Sequence, residues 1–132
     1  CIMAFWGAPI NNDNHAVDAI HAALAMEENL LAFQQQLPES LKTFDIGIGI
    51  HSGEAIIGLV GTDLRVDYTV IGDTVNLTSR IEGLTKNINR ILVSEQTKNL
   101  ASHAFDFELK GEYTVKGRTS KVRLFQPKRK VL

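Results

Sequence analysis

Over residues 44–50 apolar and non-apolar positions alternate. Phe44, Ile46, Ile48 and Ile50 point one way; Asp45, Gly47 and Gly49, followed by His51, point the other. A period of two predicts a strand with one buried face and a second face lined by glycine. Ser52-Gly53 suits a two-residue hairpin turn. Residues 55–60 then return as the partner strand, and residues 61–65 form a loop. Upstream the period changes. Val17, Ile20, Leu24 and Leu31 fall on one stripe of a 3.6-residue repeat. This predicts a helix from a cap at Asp13 or Asn14 to about Leu37, where Pro38 stops it. A second helix is predicted over residues 73–84, with Asp73 as its N-cap after Gly72 and with Leu77, Ile81 and Leu84 as its core stripe.

The remaining segments are shorter. Residues 1–6 read as a buried strand with no lead-in, so the chain is expected to be the downstream part of something longer. Trp6 and Phe5 are expected in the core or in a dimer interface. Residues 91–93 form a short strand, and Ser94 caps a short helix that ends at Ala101. Residues 105–109, 113–115 and 123–126 read as strands. The predicted order, β-α-ββ-α-β-α-ββ, describes an α+β sandwich with a largely antiparallel sheet.

Composition narrows this little. The chain has 132 residues, enough for one domain or a piece of one. Its 44% hydrophobic and 22% charged residues are ordinary for a globular protein. A formal net charge of −1 gives no general attraction to nucleic acid. Residues 128–132 form a short basic tail, read as a solvated end. Cys1 is the single cysteine, which excludes an internal disulfide. No apolar run approaches the roughly 18 residues of a membrane span.

The candidate chemistry lies at the start of the second predicted helix. Asn76 and Arg80 are four residues apart and share one helical face. An amide and a guanidinium side by side, near a helix N-terminus that favours anions, suit the sugar and phosphate of a nucleotide. The plain alternative is a surface hydrogen bond and a solvated arginine. Asp73 is read as a structural cap, and His51 as a packing or turn residue. His15, His21 and His103 show no metal-binding spacing. Glycines 47, 49, 53, 58 and 61 lack the Gly-Lys-Ser/Thr of a P-loop. They are read as allowing tight hairpin geometry and close approach of a neighbouring subunit.

The stretch Val66-Asp67-Tyr68-Thr69-Val70-Ile71-Gly72-Asp73-Thr74-Val75-Asn76-Leu77-Thr78-Ser79-Arg80 resembles the signature of class III nucleotidyl cyclases. Residues 2–9 resemble the strand that follows a metal-binding aspartate in that family. Residues 47–54 with 58–61 resemble its central hairpin, and Val115-Lys116-Gly117-Arg118 is a fourth, weaker match. The resemblance implies a ferredoxin-like βαββαβ core over residues 1–127, with the N-terminal helix and first strands missing. It implies an adenylate cyclase that converts ATP to 3′,5′-cyclic AMP and pyrophosphate with two Mg²⁺ or Mn²⁺ ions. It also implies a homodimer with active sites between the subunits.

By the same resemblance Asn76 orients the ribose and Arg80 stabilises the α-phosphate in the transition state. Arg118, where the family usually has lysine, meets the β- and γ-phosphates. Thr69, with the Val70 backbone carbonyl beside it, reads adenine; a threonine hydroxyl can accept from the adenine amino group. The family's two metal aspartates and its base-reading lysine lie upstream, so the chain is expected to hold no metal ligand and to be inactive alone. The resemblance further implies an upstream sensor, cytosolic or in a membrane, and a catalytic domain facing the cytosol. Guanylate cyclase is the near alternative. The rival is a non-catalytic cyclase-homology module that binds nucleotide or only dimerises.

Overall fold

A computed structural model describes residues 1–131. Helices are α1 (His15–Gln36), α2 (Asp73–Leu84) and α3 (Glu95–Ala101). Strands are β1 (Ile48–Ile50), β2 (Ile56–Thr62), β3 (Arg65–Ile71), β4 (Ile91–Ser94), β5 (Phe105–Tyr113) and β6 (Val122–Arg129). One four-stranded sheet has the order β1-β4-β6-β5, and β2 and β3 form a separate two-stranded sheet. β1 and β4 are parallel; the pairs β4–β6, β5–β6 and β2–β3 are antiparallel. This is the expected α+β architecture with a mostly antiparallel sheet and helices packed on it.

Alternation along the central strands sorts the core onto two faces. Ile91 and Val93 of β4 and Phe125 of β6 meet Ile20, Ala23 and Leu24 of α1. Leu92 and Leu124, their sequence neighbours, meet Leu77 and Ile81 of α2 on the opposite face. β4 is buried at all four positions, as a central strand covered by helices on both sides should be. The α1 face is wider than its sequence stripe suggested, because Ala16, Ala19 and Ala23 are small enough to bring the helix close to the sheet. Leu30 is buried there and Leu31 is exposed, which reverses the expectation. Near its end α1 meets the segment before β1. Gln34 Nε2 donates to the Phe44 carbonyl at 2.5 Å and Phe33 packs edge-on against Phe44.

Four further expectations are corrected. Residues 1–6 form no strand, and Ile2, Met3 and Trp6 are exposed. Their apolar pattern meets no partner backbone in either sheet, and an unpaired strand leaves its polar groups unsatisfied. Phe5 instead leans on Tyr68 of β3, with ring centroids 6.3 Å apart. Second, Ser52-Gly53 does not close a hairpin. β1 covers only Ile48–Ile50 and pairs with β4, while β2 turns back at Asp63 and Leu64 to pair with β3. Third, the glycine face of β1 is filled by the chain's own α2. A Cβ on Gly49 would lie 2.5 Å from the Glu82 backbone nitrogen, and one on Gly47 would strike Thr85. Residues 105–113 form one strand with a bulge between Leu109 and Gly111, where two strands were expected. β6 continues through Arg129 into the basic segment; Lys128 pairs with Glu108 at 2.7 Å and Arg129 with Glu28 at 3.1 Å.

Candidate active site

β3 delivers the chain to α2 through Gly72. Its φ of +133° lies where L side chains are strained, which is why glycine stands here. The Gly72 carbonyl accepts the Asn76 N–H at 3.1 Å, so Gly72 is the N-cap and Asp73 the first helical residue. The expected capping role of Asp73 is thereby corrected. Its carboxylate turns outward and accepts from Arg118 Nη2 at 2.5 Å. A carboxylate in the first turn also interacts favourably with the helix dipole.

Arg80 lies one turn beyond Asn76. Its Nη1 donates to the Lys116 carbonyl. The turn that presents this carbonyl is closed by Arg118 N–H to Val115 O at 3.0 Å and anchored by the buried Val115 side chain. Gly117 has φ +85°, and a Cβ there would lie 3.1 Å from Arg80 Nη1. Backbone conformation and the room needed by the guanidinium both call for glycine. Two contacts thus join α2 to the 115–118 turn, and Arg80 and Arg118 are held at the same junction. Asn76 is exposed, and its side chain makes no hydrogen bond among the described residues.

Thr69 and Val70 are on the strand leading into α2. Thr69 is half-buried opposite Gly58, which has no side chain to cover it, and Val70 is buried opposite Ile57. Among the described residues no hydrogen bond links either to Asn76, Arg80 or Arg118.

Beside the site His51 and Ser94, which the sequence places in separate roles, form a pair. The parallel strands β1 and β4 end side by side, and they deliver His51 and Ser94 to one another. His51 Nδ1 and Ser94 Oγ are 2.7 Å apart. Ser94 also caps α3 as expected, accepting the Thr97 N–H at 3.3 Å, and Ser52 Oγ meets Thr97 Oγ1 at 2.8 Å. The same loop touches α2, where Thr74 Oγ1 donates to the Glu54 carbonyl at 2.5 Å. His51 and Ser94 are 43 residues apart, so only the strand pairing could have linked them.

Burial holds the His51 imidazole below its usual pKa; the Arg118 charge acts the same way and Asp73 opposes it. The fold therefore favours neutral His51. Its contribution to stability is complete above the unfolded value of about 6.5 and is lost as pH falls through that value toward the folded one. His51→Gln should flatten the fall in melting temperature between about pH 7 and pH 5. An unchanged slope would show that other groups carry it.

Residues 1–127 match the family model described as adenylate and guanylate cyclase catalytic domain. The chain belongs to this cyclase family. It is 36% identical over 127 residues to adenylate cyclase 1 of Rhizobium meliloti, covering 95% of this chain and 19% of that protein. The adenylyl cyclase CyaB of P. aeruginosa superposes with a TM-score of 0.81 and 30% identity, over 96% of this chain and 66% of that one. The guanylate cyclase domain of RhGC from Catenaria anguillulae, solved with GTP, gives 0.73 and 29%, over 94% and 65%. The chain therefore spans 19% of its curated relative and about two thirds of each solved domain, 66% and 65%.

Cyclase domains of both nucleotide classes are thus similar to this one. Among the described residues no group of three or more His, Cys, Asp or Glu converges to hold a metal ion. The residues present do not fit a two-metal centre. No helix of the described residues is long and apolar enough to cross a membrane.

Proposed function

We propose that this chain is the nucleotide-gripping part of an adenylate cyclase catalytic domain. Its parent converts ATP to 3′,5′-cyclic AMP and pyrophosphate as a homodimer with active sites shared between subunits, under an upstream sensor. The observation that carries this reading is the junction of α2 with the 115–118 turn. Both arginines reach that junction, Arg80 through the Lys116 carbonyl and Arg118 through Asp73. Guanidinium groups are suited to bidentate binding of phosphate. Asn76, unengaged and one turn from Arg80, orients the ribose. Arg80 offsets the charge that grows on the α-phosphate, and Arg118 holds the β- and γ-phosphates. In this reading Mg²⁺ or Mn²⁺ is held by residues of the parent outside this chain. Positioning and electrostatics are the terms these side chains supply.

Thr69 supports ATP over GTP. Its hydroxyl can accept from the adenine amino group, with the Val70 carbonyl beside it. The 36% identity to a protein named adenylate cyclase favours the same choice. The two purines have similar shape, so discrimination rests on hydrogen bonds. An unpaired buried polar group against the wrong base costs about 1–3 kcal/mol. The full-length protein should prefer ATP in kcat/KM, and Thr69→Ala should shrink that preference while cyclisation continues. An unchanged ratio would place specificity elsewhere, and a wild-type GTP preference would make the parent a guanylate cyclase. Absence of turnover with either nucleotide would leave a nucleotide-binding or dimerising module.

A further inference from the structure

Beside Arg118 is a cavity of about 120 Å³ between α2, the start of α3 and the turn into β6. Arg118, Lys121 and Arg123 line it together with the carboxylate of Glu95 and the neutral Gln96 and Ser120. Its three cations are committed to different degrees. Arg123 is bound by Glu95 at 2.6 Å, lies 3.9 Å from Glu112, and has its guanidinium carbon 5.7 Å from the centroid of the Phe125 ring. It is a compensated part of the wall. Arg118 is held by Asp73, whose side chain is 78% exposed. Lys121 makes no ion pair among the described residues. The uncompensated charge of the cavity therefore lies on Lys121, with Arg118 tethered by a solvent-facing carboxylate. Ser120 and Gln96 add neutral hydrogen-bond donors.

We propose that this cavity is a polyphosphate subsite, in which Lys121 is a second phosphate-binding cation and Asp73 is the counter-ion that phosphate displaces from Arg118. The proposal rests on the assignment of Arg118 to the terminal phosphates. A carboxylate occupies on a guanidinium the place that a phosphate oxygen takes, since both accept its paired N–H groups. An exposed ion pair is weak, so a polyanion with several oxygens replaces it. Asp73, once released, keeps its favourable place in the first turn of α2. The subsite then holds the end of the triphosphate that leaves as pyrophosphate.

The test is calorimetric titration of inorganic pyrophosphate into the full-length protein in EDTA, so that no metal mediates binding. Lys121→Gln should weaken pyrophosphate binding roughly ten- to a hundredfold, as loss of a charge-assisted bond does, and Lys121→Arg should retain most of it. Asp73→Asn should tighten binding severalfold, and the gain should vanish when Arg118→Ala is added. Both Lys121 and Asp73 are exposed, and melting temperatures check that the variants fold. Wild-type affinity in Lys121→Gln, or weaker binding in Asp73→Asn, overturns the subsite. If Arg118→Ala weakens binding while Lys121→Gln and Asp73→Asn leave it unchanged, this proposal fails and the reading of Arg118 stands. If Arg118→Ala itself has no effect, that reading fails with it.

Discussion

Arg80→Ala in the full-length protein is expected to lower kcat for cyclisation about 10²–10³-fold, the usual cost of one well-placed charge-stabilising donor, with a smaller change in KM. The α-phosphate gains charge as the 3′-hydroxyl attacks, so a donor aimed there acts mainly in the transition state. The structure adds a second consequence. Arg80 also holds the Lys116 carbonyl, and the same turn carries Arg118. Removing the guanidinium frees one end of that turn, and any rise in KM should come through Arg118. Arg118→Ala should raise KM more than Arg80→Ala does. In the double variant the KM effects should be less than additive, because the two residues share one turn. Steady-state kcat and KM for the two single variants and the double variant test this. A kcat near wild type for Arg80→Ala would remove Arg80 from the chemistry and leave it as a clamp on residues 115–118.

The parts of this site that were legible in the sequence are those with local causes. Asn76 and Arg80 share a face because they are four residues apart on a helix. Ser94 caps α3 because a serine before a helical segment can accept the N–H three residues on. The hidden parts depend on pairing between distant residues. β1 was expected to pair with the segment that follows it, yet Ile48 sits opposite Ile91. Turn chemistry at Ser52-Gly53 could not reveal this. The hairpin that does form turns at Asp63 and Leu64, outside the favoured turn dipeptides. The shift of α2's cap from Asp73 to Gly72 is one residue, within the usual uncertainty of helix ends. Its consequence is larger, because it sends the Asp73 carboxylate to Arg118, 45 residues away. The chain's apolar opening shows the reverse error. A pattern suited to a strand forms none where no backbone is available to pair with it.

Gly49→Ala is expected to destabilise the fold by about 1–3 kcal/mol, as overpacking of a filled interior does, and to lower activity as well. The space for a methyl group is absent. A Cβ on Gly49 would lie 2.5 Å from the Glu82 nitrogen and 2.8 Å from its Cα. These are backbone atoms of α2, so no side-chain rotation relieves the overlap; the helix itself must move. Leu77 and Ile81 pack α2 onto the same face of the sheet through Leu92, the register partner of Gly49, and through Leu124 and Val115. A shift therefore trades core packing against the clash, and it carries Asn76 and Arg80 with it. A misplacement of about 1 Å at reacting groups can cost about 10²-fold in rate. Gly58→Ala is the matched control, because a Cβ there meets nothing within 4 Å. It should change stability by no more than about 0.5 kcal/mol. Denaturant midpoints and kcat for both variants decide the matter. Equal stability in the two would show that α2 rests on β1 with slack, and that the glycine face serves something other than this close approach.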